Sequence, residues 1–245
     1  MASSNGLEHP AFYALRPGGW RDAVTLLHPP YTAWHLSYVA IGAAAAPHLY
    51  GHRLVWALVA FLLGVGVAAH ALDELHDRPL GTHTSDRTLV ALATLSLAGA
   101  AAIGVLGAVS ISLWLLVFVV VGVVLAVAYN LELFGGRMHS DLWFALGWGA
   151  FPALTGFWVN STKLRPDAIL VAGACFALSM AQRRLSTPVR ELRRRTQSIS
   201  GEQRLKDGGT VALGVRSIAA PMERALKACA LGMVLLAAGL VAARL

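Results

Sequence analysis

The chain has 245 residues, of which 56% are hydrophobic and 13% are charged, and its mean hydropathy is +0.60. Soluble globular domains carry about 25% charged residues, so this composition excludes a disordered or fibrous protein and an ordinary cytosolic enzyme. The formal net charge is +7, which in a membrane chain is explained by basic residues in cytoplasmic loops before it is explained by nucleic-acid binding. We therefore expect an integral membrane protein without a nucleic-acid partner.

Apolar runs that can cross a bilayer follow one another along most of the chain. A membrane helix needs about 20 apolar residues. The strong runs lie at residues 31–48, 53–73, 87–108, 111–131, 141–160, 167–184 and 224–243. A shorter run at 209–222 is compatible with a further short span, a re-entrant piece or an interfacial helix. The pattern predicts an all-α, polytopic membrane helix bundle of seven to eight spans, with an N-terminal segment at 1–27 and one transmembrane domain at 28–245.

The connections between these runs differ in charge. The N-terminal segment and the even-numbered connections carry most of the basic residues, above all between residues 183 and 206. The opposite connections hold Arg53, Lys163 and Arg165. The positive-inside rule therefore predicts a cytoplasmic N-terminus. Most of the acidic residues lie on the same side, so we expect any active site to face the cytoplasm.

The second run ends in a set of ionisable residues. His70, Asp73, Glu74 and Asp77 are spaced i, i+3, i+4 and i+7, so they share one helix face. Three carboxylates and an imidazole compete or repel unless a divalent metal or an arginine lies among them. A solvated helix end is the alternative, but ionisable groups directly after an apolar run usually face a bundle interior or a watery cavity. The spacing predicts that these four residues bind a metal.

Two further polar sets follow. Tyr129, Asn130 and Glu132 end the fourth run, where they are candidates for a further metal ligand or for a contact with an acceptor substrate. An arginine-rich stretch begins with Arg183 and Arg184 after the sixth run. Guanidinium groups bind phosphate oxygens bidentately, and they equally suit anionic lipid headgroups. Because these two arginines lie closest to the span, we expect them to contact a diphosphate.

The order of these features resembles the UbiA superfamily of intramembrane prenyltransferases. Those proteins carry an NDxxDxxxD motif at the cytoplasmic end of the second span, and residues 69–77 stand in that place. Asp73 and Asp77 match the second and third aspartates of the motif, whereas His70 replaces the first. The family's second motif, DxxxD, follows span six, but the corresponding residues 180–191 contain no aspartate. The resemblance otherwise covers most of the chain as a likeness of layout.

The resemblance implies a bundle around a central cavity, in which Mg²⁺ holds a prenyl diphosphate and a hydrophobic or aromatic acceptor receives the prenyl group. It implies catalytic roles for Asp73, Glu74 and Asp77. The implied substrate contacts are Arg78, Tyr129, Asn130, Glu132, Arg183 and Arg184. Imidazole suits Fe, Mn or Zn better than Mg²⁺, so a transition-metal enzyme that acts on a lipid is an alternative. Loss of the second motif leaves open a non-catalytic membrane subunit that binds a lipid or a quinone.

Overall fold

The protein is mostly helical, at 71%. The structure is a computed structural model, and it describes residues 7 and 9–245. Residues 1–6 and 8 of the predicted N-terminal segment therefore lie outside the described residues. In chain order the elements are α1 (Trp20–Leu26), α2 (Pro29–Ala45), α3 (Gly51–Asp77), α4 (Asp86–Ser110), α5 (Leu115–Asn130), α6 (Asp141–Ser161), α7 (Pro166–Arg194), β1 (Gly201–Arg204), β2 (Thr210–Leu213) and α8 (Val215–Ala242).

Five of the helices, α3, α4, α6, α7 and α8, are long and apolar enough to cross a membrane. Helix α5 is shorter, with 16 residues, but it is also apolar. The prediction of an all-α, multi-pass membrane bundle is confirmed at this level. The number of spans and the orientation of the bundle stay predictions.

The run at 209–222 is not a separate helix. Its first residues form β2, which pairs antiparallel with β1, and the Asp207-Gly208-Gly209 turn between the strands uses a positive φ of 85° at Gly208. Helix α8 then continues without interruption to Ala242. Glu223 lies within this helix, and its carboxylate pairs with Arg193 of α7 at 2.5 Å.

Two helices contain a π-helical turn. In α3, the α-helical Gly51–Phe61 and His70–Asp77 flank the π segment Leu62–Ala69. In α6, Asp141–Ala145 and Phe151–Ser161 flank the π segment Leu146–Ala150. Each π segment holds two glycines, and such turns are frequent at functional sites because they rotate the following residues about the helix axis. The α3 segment directly precedes His70.

Helix α2 forms the centre of the bundle, where it packs against α6 and α8. Its largest buried side chains, Trp34 and Tyr38, are joined by a 2.6 Å hydrogen bond from the indole nitrogen to the phenol oxygen. The backbones of α2 and α6 touch directly, because a Cβ atom at Gly42 would overlap the carbonyl oxygen of Ala153. Small residues allow this close approach, as is common between membrane helices.

Candidate functional site

Glu74 is fully buried at the end of α3, and its carboxylate accepts three hydrogen bonds from the loop that follows. One oxygen accepts a hydrogen bond from the backbone N–H of Leu80 at 2.9 Å. The other accepts from the backbone N–H of Thr82 at 2.8 Å and from its hydroxyl at 2.9 Å. The carboxylate thus fixes the loop that follows α3, and a metal would have to compete with three hydrogen bonds for the ligand role predicted for Glu74.

Arg78, predicted as a substrate contact, serves the same loop. Its backbone is left-handed, with φ 51°, and ends α3. Its guanidinium donates to the carbonyl oxygen of Thr84 at 2.6 Å and forms an ion pair with Asp86. From the N-terminal side, the buried carboxylate of Asp22 accepts from the backbone N–H of His83 at 3.0 Å. The loop at 78–85 is therefore held by the side chains of Glu74, Arg78 and Asp22.

Asp77 belongs to a group of ligand atoms that includes none of the other three predicted metal ligands. It joins His76 and Glu132 in the one group of three metal-ligating side chains, among the described residues, whose ligand atoms all lie within 4.8 Å of one another. The group is exposed at the end of the bundle. His139 lies beside it, with its Nδ1 atom 3.6 Å from a carboxylate oxygen of Glu132. The sequence places His76 off the predicted helix face, and its contact with Glu132 depends on the fold of the α5–α6 loop.

The structure adds a histidine that was not among the predicted site residues. His28, directly before α2, packs against His70 with ring centroids 3.9 Å apart. His70 Nδ1 lies 3.1 Å from the carbonyl oxygen of Gly66, which leaves its Nε2 atom free. His28 Nε2 is buried and has no hydrogen-bond partner among the described residues. Both residues are buried. The only sequence signal for His28 is its position before Pro29 at the entry to the first predicted span.

Tyr13 lies on the other side of His28, with ring centroids 5.3 Å apart. Burial lowers the pKa of His28 well below its usual value, and the neighbouring His70 adds to this effect. Burial, reinforced by Tyr31, raises the pKa of the Tyr13 phenol well above its usual value. Burial therefore favours the neutral imidazole of His28 and the un-ionised phenol of Tyr13.

Arg190 of α7 brings a positive charge to these residues. Asp73 and His28 are influenced electrostatically by Arg194 and then by Arg190, and Tyr129 is influenced by Arg183 and then by Arg190. Arg190 is the arginine that acts on all three. In the described part of the chain Arg190 forms no ion pair, and Asp73 has neither an ion pair nor a hydrogen-bonded side-chain partner. The hydroxyl of Tyr129 is buried and also lacks a partner there. We define the polar cluster by its six members, which are Tyr13, His28, His70, Asp73, Tyr129 and Arg190.

The two arginines predicted to bind a diphosphate both face Asp141. Arg183 Nε lies 3.1 Å from one carboxylate oxygen and Arg184 Nε lies 3.5 Å from the other. The Arg183 side chain is 10% exposed, whereas that of Arg184 is 74% exposed. Arg183 is close enough to act on Tyr129, so it borders the polar cluster. Asn130, also predicted as a contact, donates to the carbonyl oxygen of Ala126 within its own helix at 2.6 Å.

An apolar cavity of about 500 Å³ lies between α3, α4, α5 and α6. Its inner end is lined by Val65 and Trp148, which also pack against Tyr129 of the polar cluster. The ring centroids of Tyr129 and Trp148 are 4.4 Å apart. The opposite end reaches Arg53 in the first turn of α3. The cavity therefore runs through the apolar part of the bundle and ends next to the polar cluster.

Comparisons of the chain with protein-family models, with curated proteins and with solved structures give no match.

Proposed function

We propose that the protein is an intramembrane enzyme that binds a prenyl diphosphate and transfers its prenyl group to a hydrophobic acceptor. One observation carries this proposal: a cluster with an unpaired arginine lies at the end of an apolar cavity inside a membrane-type bundle. Sites for small molecules combine an apolar lining with a few convergent polar groups. An amphiphile with an anionic head and an apolar chain matches both parts.

The head group is expected at Arg190. A guanidinium without a carboxylate partner is available to phosphate oxygens, which it binds through charge-assisted hydrogen bonds. The orphan hydroxyl of Tyr129 and the orphan Nε2 atom of His28 supply further polar contacts. Positive charge and donors at the diphosphate stabilise the negative charge that develops when the allylic C–O bond breaks. In this arrangement Arg190 takes the role that the sequence assigned to Arg183 and Arg184.

His70 and Asp73 are the residues that would hold a metal ion in this cluster. The free Nε2 atom of His70 and the unpartnered carboxylate of Asp73 fit a cation, whereas Glu74 is occupied and Asp77 lies in the exposed group. A bound divalent ion such as Mg²⁺ supplies charge neutralisation of the leaving diphosphate. This ligand set rests on the resemblance together with the side-chain placement.

The chain of the substrate is expected in the apolar cavity. Val65 and Arg53 lie at its two ends, which at 1.5 Å per helical residue are roughly 18 Å apart. During transfer the C–O bond to the diphosphate breaks, and the acceptor forms a new bond to the carbocation-like carbon. The diphosphate leaves with the bonding electron pair, and it takes up the proton that the acceptor loses. We expect the reacting carbon beside Trp148 and Tyr129, which lie at the junction of the cavity and the polar cluster.

A second candidate function is a transition-metal enzyme that acts on a lipid. It is favoured by the contact between His28 and His70, because imidazole nitrogens suit Zn²⁺ or Fe²⁺ better than Mg²⁺. A ligating histidine also usually donates its other ring N–H to a carbonyl, as His70 does to Gly66. Elemental analysis of purified protein separates the two functions. A stoichiometric transition metal lost in His70→Ala but kept in His76→Ala supports the second.

Binding of farnesyl diphosphate to purified protein, with and without Mg²⁺, tests the main proposal. We expect Arg190→Gln to weaken binding about 10- to 100-fold, because a hydrogen bond to a charged group contributes about 1.5–3 kcal/mol. The matched control is Arg184→Gln, an exposed arginine on the same helix. Ala60→Trp, which fills the cavity, should weaken the binding of farnesyl diphosphate without affecting the binding of inorganic pyrophosphate. Equal affinity in Arg190→Gln and wild type, or no binding to wild type, overturns the proposal.

A further inference from the structure

A segment without helix or strand lies across the polar cluster. We call residues 9–15 the strap. Its small residues Ala11 and Ala14 pack against Leu80 in the loop after α3. Its Phe12 ring packs edge-on against Tyr31 of α2, with centroids 6.0 Å apart. The strap therefore contacts two different walls of the site.

Tyr13 is the residue by which the strap enters the polar cluster. Its ring packs edge-on against both His28 and Tyr31, with centroids 5.3 Å and 5.5 Å apart. The charged groups that act on its phenol include Asp73 and Arg190. From the outside inward, the order is thus Tyr13, His28 and His70. A ligand that reaches the unpaired groups from this side meets the strap first.

In addition to this side-chain packing, the strap is held by three hydrogen bonds to its backbone. Arg193 donates to the carbonyl oxygen of His9 at 2.9 Å, and Arg194 donates to that of Pro10 at 3.3 Å. At the other end, the backbone N–H of Leu15 donates to the hydroxyl of Thr25 at 3.0 Å. Two of these three bonds connect the strap to side chains of a single helix, α7. Such an attachment opens at a lower free energy than a packed helix.

The other cover of the site is held more firmly. The loop at 78–85 is bound by three hydrogen bonds to the buried Glu74 and by the guanidinium of Arg78. Two of the three hydrogen bonds to the strap also come from charged guanidinium groups, but the loop has a further hydrogen bond to the buried carboxylate of Asp22. The remaining walls are membrane helices. Of the two segments without helix or strand beside the polar cluster, the strap has fewer hydrogen bonds to the rest of the bundle than the loop at 78–85.

We propose that the strap is a lid, which swings away to admit a ligand to the other five residues of the polar cluster and returns Tyr13 to its place against His28. Closure by such a segment excludes water from a site and strengthens its electrostatic interactions. The inference goes beyond the proposed function, because the lid controls access for an anionic substrate and for a metal ion alike. Tyr13 is accordingly a positioning residue of the closed state.

Accessibility of a thiol beneath the strap tests this proposal without any ligand. Asp73→Cys is introduced into a background in which Cys175 and Cys229 are replaced by alanine. The rate of modification by a charged, water-soluble thiol reagent is measured in detergent. We expect the additional substitution Tyr13→Ala to raise this rate at least 10-fold. The control substitution Phe134→Ala removes an aromatic side chain that is 70% exposed and lies outside the strap, and should leave the rate unchanged.

A second reporter and a second strap variant complete the test. Arg137→Cys, exposed on the α5–α6 loop, should react fast in both the presence and absence of Tyr13→Ala. Ala14→Asp places a charge in the contact with Leu80 and should also accelerate the reaction at position 73, so the test does not depend on one variant remaining folded. The proposal is overturned if position 73 reacts as fast as position 137 under the intact strap. It is also overturned if neither strap variant changes the rate at position 73.

Discussion

Replacement of Glu74 by glutamine gives a sharp test of the role that the structure assigns to this carboxylate. Its two oxygens accept from Leu80 N–H, Thr82 N–H and the Thr82 hydroxyl, at 2.8–2.9 Å. Glutamine keeps the shape but turns one acceptor into an NH₂ donor, which then faces at least one backbone N–H. Losing a charge-assisted bond and leaving a buried donor unsatisfied costs roughly 2–4 kcal/mol. The Glu74→Gln variant should therefore unfold at a clearly lower temperature than wild type.

Thermal unfolding in detergent measures this effect. For a protein of this size, a loss of 1 kcal/mol in the free energy of unfolding lowers Tm by about 2–4 °C, so we expect Tm to fall by roughly 5–15 °C. Asp77→Asn is the matched control, because it makes the same charge change at an exposed position of the same helix. It should change Tm by no more than about 2 °C. If Glu74→Gln retains the wild-type Tm but loses a bound metal, the carboxylate is a metal ligand and the structural role is refuted.

Two further predictions concern packing and a buried ion pair. Gly42→Ala should lower the free energy of unfolding by about 3 kcal/mol, because the added Cβ atom meets the backbone of α6. Gly232→Ala, which has open space around it, should be neutral or slightly stabilising. Equal Tm values for the two variants would contradict the α2–α6 contact. Glu223→Ala should cost roughly 3 kcal/mol, because it leaves Arg193, whose side chain is 10% exposed, without its carboxylate. Glu202→Ala, on the exposed hairpin, should leave the free energy of unfolding unchanged in the same assay. A similar loss of stability in Glu223→Ala and Glu202→Ala would argue against a specific ion pair between Glu223 and Arg193.

The overall architecture could be predicted because it depends on composition and on the length of apolar runs. A membrane helix has to satisfy its backbone internally over about 20 residues, and this requirement leaves a clear sequence signal. The 209–222 region could not be resolved in this way. Its charged residues suggest a boundary, but Glu223 is neutralised by a residue from α7 that is distant in sequence.

The proposed polar cluster contains only some of the residues that the sequence indicated. Helical spacing correctly identified the His70–Asp77 segment as the polar end of α3, because spacing depends on local geometry alone. Spacing did not show that the residues of this face have different partners. Glu74 accepts hydrogen bonds from the loop after α3, whereas Asp77 lies close to His76 and Glu132. These partners are set by the path of two loops, which no periodicity encodes.

Tertiary contacts also determine which arginine and which histidine belong to the proposed site. Asp141 lies at the start of α6 and pairs with Arg183 and Arg184, and Glu223 pairs with Arg193. Of the arginines on α7, this leaves Arg190 and Arg194 without a carboxylate partner among the described residues, and Arg194 donates to the carbonyl oxygen of Pro10. His28 reaches His70 because α2 begins beside the end of α3. Neither contact follows from sequence spacing.

The most direct test of the account is photo-crosslinking with a prenyl diphosphate that carries a diazirine on its chain. After irradiation of the purified protein with Mg²⁺, the labelled peptides are identified by mass spectrometry. Labelling should fall on the cavity-lining residues of α3, α4, α5 and α6, should be competed by unlabelled prenyl diphosphate, and should be lost in Arg190→Gln. Labelling that is spread over the outer faces of α4 and α8, or that survives both the competitor and the substitution, would contradict a prenyl diphosphate site at the polar cluster.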